Sequence, residues 1–359
     1  MVAVSPHTRR QLANIATDTL AASRLRNSCV APLMLENGQL RTALRNEFQG
    51  LQDHPPSAAP KFRAQMQEYH DTLFGAVERN EGALISVLGT PSSAASAMAR
   101  LRWHTIGPGA GYDRLGSLLR HLAKDWACDG VAGRRELNER ILNVLRARSS
   151  ELEAPLRIVV PGCGQGRLSW LIARSLPGAH VIGIESSAAQ LSIGVRMMEQ
   201  QAHSVSFHPF LDEPRNNFDA GSRAVMLSAP DVTTSLPSNL TLWHTTAKAG
   251  LEEVRADGGA DVIVCCFFLD CLSDVPLGLT NMAATLCQGG SLVFAGPLDY
   301  HHWPSPSPAL SHLLALCDDL GLRLSAAPAF VEAPYPRRPG PSMSHEFLWR
   351  VPYFVCHKR

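Results

Sequence analysis

Residues 157–167 read RIVVPGCGQGR, an apolar run that breaks into glycines at Gly162, Gly164 and Gly166. A second apolar run, VIGIESS at 181–187, ends in an acid, Glu185. Strand, glycine turn, helix, strand, acid is how an open α/β sheet builds a nucleotide-binding crevice. The glycines let backbone approach a ligand, and an acid ending the next strand accepts hydrogen bonds from ribose hydroxyls. Glycine-rich turns are common in cores, so it is the turn together with the correctly spaced acid that points to a nucleotide site. A dehydrogenase fits that pattern as well as any other nucleotide-binding fold.

The rest of the chain from about residue 151 keeps the same rhythm. Strands are expected at 157–161, 180–184, 261–268 and 291–296, with helices after the glycine turn (LSWLIARSL) and after Glu185. The stretch NMAATLCQGG (281–290) reads as a helix ending in a glycine C-cap. LRLSAAPAFVEAP and FLWRVPYFVCHK read as two further strands joined by the proline-rich APYPRRPGPS. Alternating β and α elements predict a mostly parallel sheet covered on both faces, with ligands at the C-terminal strand ends.

Residues 1–150 read differently. Apolar residues recur at helical spacing in FRAQMQEYHDTLFGAV, LGSLLRHLAKDW and LNERILNVLRA, with breaks at 51–60 and 105–113. The division expected is therefore a helical region, 1–150, and an α/β domain, 151–359. The arginine-containing, acid-poor start of the chain is faintly like a transit peptide but lacks a signal-peptide apolar core, and an amphipathic helix is the expectation.

Charge narrows the partners. With 33 basic and 32 acidic residues, net +1, nothing favours nucleic acid or an anionic membrane surface. The longest apolar runs are too short to span a bilayer. The nine cysteines form no CxxC pair, so neither a zinc site nor a disulfide framework is indicated, and a reducing, cytoplasmic setting, with the nucleus as a second location, is expected. Cys265, Cys266 and Cys271 cluster, and free cysteine packs as a small hydrophobe.

Asp270 ends the run VIVCCFFLD. It either caps the following helix or serves in binding or proton handling at a strand mouth. The loop GPLDYHH (296–302) follows the next strand and should lie beside Asp270, offering a histidine as substrate contact or base. His121 and Lys124 share a helix face that periodicity alone makes solvated, with Leu118 and Trp126 on its buried side. Tyr335, Phe347 and Trp349 supply aromatic faces in the tail. Alternation sends Phe347 and Trp349 the same way, to pack in a core or to cage a ligand.

Together, KDW (124–126), VPGCGQGRLSW (160–170), PDV and SLP (230–237), CFFLD (266–270), the glycine pair 289–290, GPLDYH (296–301) and SM (342–343) resemble the carnosine N-methyltransferase family. The likeness is collinear from about residue 115 to the C-terminus. It implies a Rossmann-like, seven-stranded class I methyltransferase sheet with a helical N-terminal extension. It also implies S-adenosylmethionine as cofactor, held at Gly162, Gly164, Gly166 and Glu185 with help from His121 and Lys124. Asp270 and His301 match the aspartate and histidine that hold the acceptor imidazole. The implied activity is methylation of an imidazole nitrogen of carnosine or a related histidine-containing dipeptide, by a chain that is a candidate homodimer although no heptad marks an interface.

This chain departs from the family pattern at several positions. His121 and Lys124 stand where the family carries glutamine and arginine, and lysine lacks the bidentate fork of arginine. Thr246 falls where the family has an acid near the adenine. Phe347 and Trp349 replace tyrosines, keeping aromatic faces but losing phenol hydroxyls. These departures leave open a different small-molecule or peptide-histidine acceptor, or a catalytically weak relative that serves as a binding protein.

Overall fold

The computed structural model describes residues 60–88, 101–103, 115–152, 154–199, 205–209, 225–227, 236–302, 307–334 and 348–359, with isolated positions between 38 and 49. Helix α1 spans Pro60–Leu88 and strand β1 Leu101–Trp103; α2 (Leu115–Trp126) and α3 (Cys128–Glu151) lead into the α/β region. There β2 (Arg157–Pro161), α4 (Arg167–Ser175), β3 (His180–Glu185) and α5 (Ala188–Glu199) build the nucleotide-type half. A short ribbon, β4 (Val205–Phe207) with β5 (Val225–Leu227), precedes β6 (Leu240–His244) and α6 (Ala247–Ala256). The other half is β7 (Ala260–Cys266), a 3-10 turn (Leu269–Cys271), α7 (Val275–Thr285) and β8 (Leu286–Ala295). It closes with α8 (Leu310–Asp319), β9 (Leu322–Leu324), β10 (Ala329–Pro334) and β11 (Leu348–Lys358).

The main sheet runs β1-β6-β3-β2-β7-β8-β11-β10, with β9 also on β11. The pairs from β1 to β8 are parallel; β11 is antiparallel to both β8 and β10. The seven strands from β6 to β10 form the expected class I sheet. Leu101–Trp103 adds an edge strand to it from the region read as helical, and three residues are too few to show a period in sequence. From β2 the chain winds outward to β3 and β6, then returns to β7 and β8 on the other side. The reversal between β2 and β7 opens a crevice at their C-terminal ends.

Alternation fills both faces. Ile158, Val160, Val262 and Val264 join Leu118, Trp126, Leu137 and Trp170 in one core layer. Val159, Ile263, Cys265 and Phe294 join Leu251, Leu279 and Met282 in the other. Leu118, Leu119, Leu122 and Trp126 of α2 are buried, and each contributes on the order of 1.5–3 kcal/mol to holding α2 on the sheet.

Three stretches differ from the sequence reading: LRLSAAPAFVEAP, expected as one strand, is two, β9 and β10, each antiparallel to β11, and two boundaries shift. The run 281–290 is not a helix with a glycine C-cap: α7 stops at Thr285, and Cys287–Gly290 belong to β8. Leu286 already pairs with Ala260, and an irregularity in the β7–β8 register absorbs the glycine pair, with Gly289 at φ 73°. The carbonyls ending α7 are met instead by Lys358, whose Nζ donates to those of Ala283 (2.8 Å) and Leu286 (2.7 Å). Strand β7 ends at Cys266 rather than at 268, because Phe267 turns out of the strand at φ 52°. Among the described residues no helix is long and apolar enough to cross a membrane.

Candidate functional site

Gly162, Gly164 and Gly166 adopt left-handed φ values of 63°, 57° and 74°, which carry the chain from β2 into α4. A Cβ at Gly162 would lie 2.0 Å from the Phe268 ring, whereas one at Gly164 would meet nothing within 4 Å. The turn is therefore sealed from one side by the β7 loop and open at its crook. Glu185, at the end of neighbouring β3, accepts the Gly164 N–H (2.9 Å) through Oε2 and the Ser187 N–H (2.8 Å) through Oε1. Burial pushes its carboxyl above the usual range, and these backbone N–H groups oppose the shift. An acceptor-rich group beside an open glycine turn is suited to the hydroxyls of a nucleoside.

Helix α2 reaches the same place. Gln165, inside the glycine turn and buried, donates from Nε2 to the Leu118 carbonyl at 3.1 Å. His121 contacts Gln190 of α5 through Nδ1. Its face is not solvated: His121 is half-buried and the Lys124 side chain only 14% exposed. Burial holds the His121 pKa well below the usual imidazole value, with Lys124, Arg120 and Arg134 adding in the same direction. Lys124 lies 3.6 Å from Asp125 and also acts electrostatically on Asp270, so α2 bears on both sides of the crevice.

Asp270 sits in the 3-10 turn after β7 and is 4% exposed. It does not cap the next helix; Asp274 does, accepting the Leu277 N–H at 2.8 Å. The His301 N–H donates to the Asp270 carbonyl at 3.0 Å, which pins the loop after β8 to the turn after β7. Burial raises the Asp270 carboxyl to about 6, opposed by its own backbone N–H and by His301. Tyr300, which precedes His301 in the same loop, is pushed up to about 12 by burial and by the Asp270 charge, and its buried hydroxyl has no hydrogen-bond partner. Next to Asp270, Phe267 carries the Arg134 guanidinium 3.8 Å above its ring.

Trp349 pairs in register with Ala333 on β10, beyond the point where Tyr353 meets Ala295 at the end of β8. It thus overhangs the rim that carries Asp270 and is half-buried against the core. Tyr335 and Phe347 lie outside the described residues. Thr246 is the N-cap of α6, its hydroxyl accepting the Ala249 N–H at 3.2 Å, so this position is committed to the helix end. Gly162, Gly164, Gly166, Glu185, His121, Lys124, Asp270, His301 and Trp349 therefore all belong to one rim.

Sequence reading missed Gln165, Gln190, Arg134, Phe268 and Tyr300. Gln165 and Tyr300 lay inside quoted motifs and could have been flagged as polar groups in apolar turns. Gln190 and Arg134 sit in helices whose packing partners are remote in sequence, so no local signal marked them.

Comparison with known proteins adds the family. The carnosine N-methyltransferase family model matches residues 103–358. Carnosine N-methyltransferase of Drosophila melanogaster is 26% identical over 254 residues, which is 67% of this chain and 54% of that protein. The Dictyostelium discoideum carnosine N-methyltransferase is 27% identical over 199 residues, 53% of this chain and 42% of that one. The chain thus spans about half the length of the curated relatives it matches. Among solved structures, magnesium protoporphyrin IX methyltransferase from Synechocystis PCC 6803 aligns over 64% of this chain and 82% of its own, at 13% identity and a TM-score of 0.40. With a family model covering well over half its length, the chain belongs to the carnosine N-methyltransferase family.

Proposed function

We propose that this protein is an S-adenosylmethionine-dependent N-methyltransferase that acts on an imidazole nitrogen of carnosine or a related histidine-containing dipeptide. The observation that carries the reading is buried Asp270, whose backbone carbonyl is tied to the His301 N–H, on the same rim as the open glycine turn and Glu185.

The residues present suit the cofactor. The crook at Gly164 is free of side chains, Glu185 offers carboxylate oxygens to a ribose, and Lys124, 3.6 Å from Asp125, supplies a cation on α2. When bound, the cofactor supplies a sulfonium methyl group already activated for transfer. The protein then mainly has to place a neutral nucleophile in line and keep water out.

Asp270 meets the first requirement. An imidazole nitrogen attacks only when unprotonated, and a carboxylate accepting the N–H of the other ring nitrogen fixes that tautomer. As the ring gains a methyl group and positive charge, ionised Asp270 offsets that charge in a site of low dielectric. The shared proton can then pass to Asp270, whose raised pKa brings it close to that of an imidazole. His301 orients the acceptor from the facing loop, and Trp349 offers an aromatic wall to it.

Trp349 also favours a second reading of the acceptor. Where the resemblance implies a phenol, an indole donates from a different position and cannot accept a hydrogen bond, so an acceptor that offers fewer donors than carnosine fits this wall better. Incubation with labelled S-adenosylmethionine and carnosine, homocarnosine or histidine tests the main reading. Transfer to the dipeptides is expected. Label appearing only on another compound when cell extract is supplied would move the assignment to that acceptor. Calorimetry showing no cofactor binding at millimolar concentration would overturn the enzyme reading itself.

A further inference from the structure

We propose that Asp270, Cys271 and His301 form a binding site for a thiophilic divalent cation of the zinc type, and that its occupancy blocks the acceptor pocket. One ligand atom from each residue lies within 4.8 Å of the other two. The Cys271 sulfur is 4.0 Å from Asp270 Oδ1, and Cys271 forms no disulfide. Tetrahedral zinc separates its ligand atoms by roughly 3.5 Å. Closing the set therefore takes about an ångström of side-chain movement, which the exposed His301 ring can make by rotation. The bond from His301 N–H to the Asp270 carbonyl keeps the two loops together while that happens.

The donor set selects the ion. Sulfur, imidazole nitrogen and a single carboxylate suit zinc or cobalt, whereas magnesium and calcium need more oxygen ligands than this turn offers. Burial is graded from Asp270, buried, through Cys271, half-buried, to His301, exposed. An ion can enter from the His301 side and keep water at its remaining position, the open arrangement of three-ligand sites. Binding forms bonds to the thiolate, the imidazole and the carboxylate, and the Cys271 proton leaves to solvent with no redox change.

The cation site itself does not depend on methyl transfer, but its inhibitory effect rests on the proposed function, since the ion would take the two groups assigned to the acceptor. Cobalt(II) is the probe. Titrated into the full, metal-free chain, it should give a near-ultraviolet thiolate-to-cobalt band that zinc displaces. Cys271→Ser and Cys271→Ala should each lose the band, and His301→Ala should weaken cobalt binding at least tenfold. With carnosine as acceptor, zinc should inhibit the wild type at least tenfold more strongly than Cys271→Ser. No band in the wild type, or an undiminished band in both Cys271 variants, would overturn the site. A normal band from a protein that transfers methyl to nothing would leave the cation site standing and sink the function.

Discussion

The His301 backbone N–H donates to the Asp270 carbonyl at 3.0 Å, although the two residues lie on loops that follow different strands. One hydrogen bond thereby joins the mouths of β7 and β8 and sets the spacing of the two side chains assigned to the acceptor. Because the bond is between backbone groups, either side chain can be changed without cutting the tie.

Asp270 should add an ionisation to the acid limb of the pH–rate profile. Its carboxyl is raised to about 6, and only the ionised form offsets the charge of the methylated ring. The acceptor imidazole must itself be unprotonated to attack, so in chelator-treated buffer the log of the rate should fall with a slope approaching two at low pH. Asp270→Asn should reduce that slope to one, along with a loss of roughly 10²–10⁴ in rate. A slope unchanged in Asp270→Asn would assign the second ionisation to another group.

Stability should respond to the two buried titrating groups with opposite signs. Asp270 has a folded pKa raised above its unfolded value of 3.8, so the folded state holds the proton more tightly. Its contribution falls as pH rises from about 4 to about 6, a loss of roughly 2–3 kcal/mol, and Asp270→Asn should melt higher than wild type above pH 6. His121 is depressed below 6.5, so the unfolded chain takes the proton first and stability falls as pH drops below that value. His121→Gln should flatten this acid loss. Melting curves of the two variants between pH 5 and 8 separate the effects, and parallel curves for all three proteins would refute both.

Much of this site is legible in sequence because its parts are consecutive. Pro161 to Arg167, Ile184 to Ser186 and Cys266 to Asp270 each pass from strand to rim within a few residues, so period and punctuation locate them. What sequence could not show comes from packing between distant segments. Helix α2 has the same amphipathic pattern whether its polar edge faces water or a ligand. The contact of His121 with Gln190, and of Gln165 with the Leu118 carbonyl, sets that edge against the glycine turn and α5 rather than in water. Likewise, nothing local distinguishes Asp270 from Asp274 as the helix cap until the Leu277 N–H is seen to point at Asp274.

Arg134 should act on the rate through the turn that holds Asp270. Its guanidinium covers Phe267, a residue held at φ 52° where a non-glycine side chain is strained by about 1–3 kcal/mol. Stacking of this kind contributes about 1–2 kcal/mol when desolvated. Arg134→Met keeps the stem and removes the cation, so the melting temperature should fall by several degrees. Turnover should fall further than cofactor binding as Asp270 loses its fixed position. Unchanged turnover in a folded Arg134→Met would show that the turn holds without it.

The glycine turn offers the sharpest separation of folding from binding. Gly164→Ala adds a methyl group into open space, at the cost of about 1–2 kcal/mol for a left-handed alanine. Gly162→Ala carries the same backbone cost and also drives a Cβ to 2.0 Å from the Phe268 ring, which must move together with the β7 loop. Gly164→Ala should therefore stay folded, with a modestly lower melting temperature, and bind S-adenosylmethionine at least tenfold more weakly in calorimetry. Gly162→Ala should lose considerably more stability and, where folded, disturb Asp270 through the displaced loop. Full cofactor affinity in Gly164→Ala would mean that the crook of the turn is not where the cofactor lies.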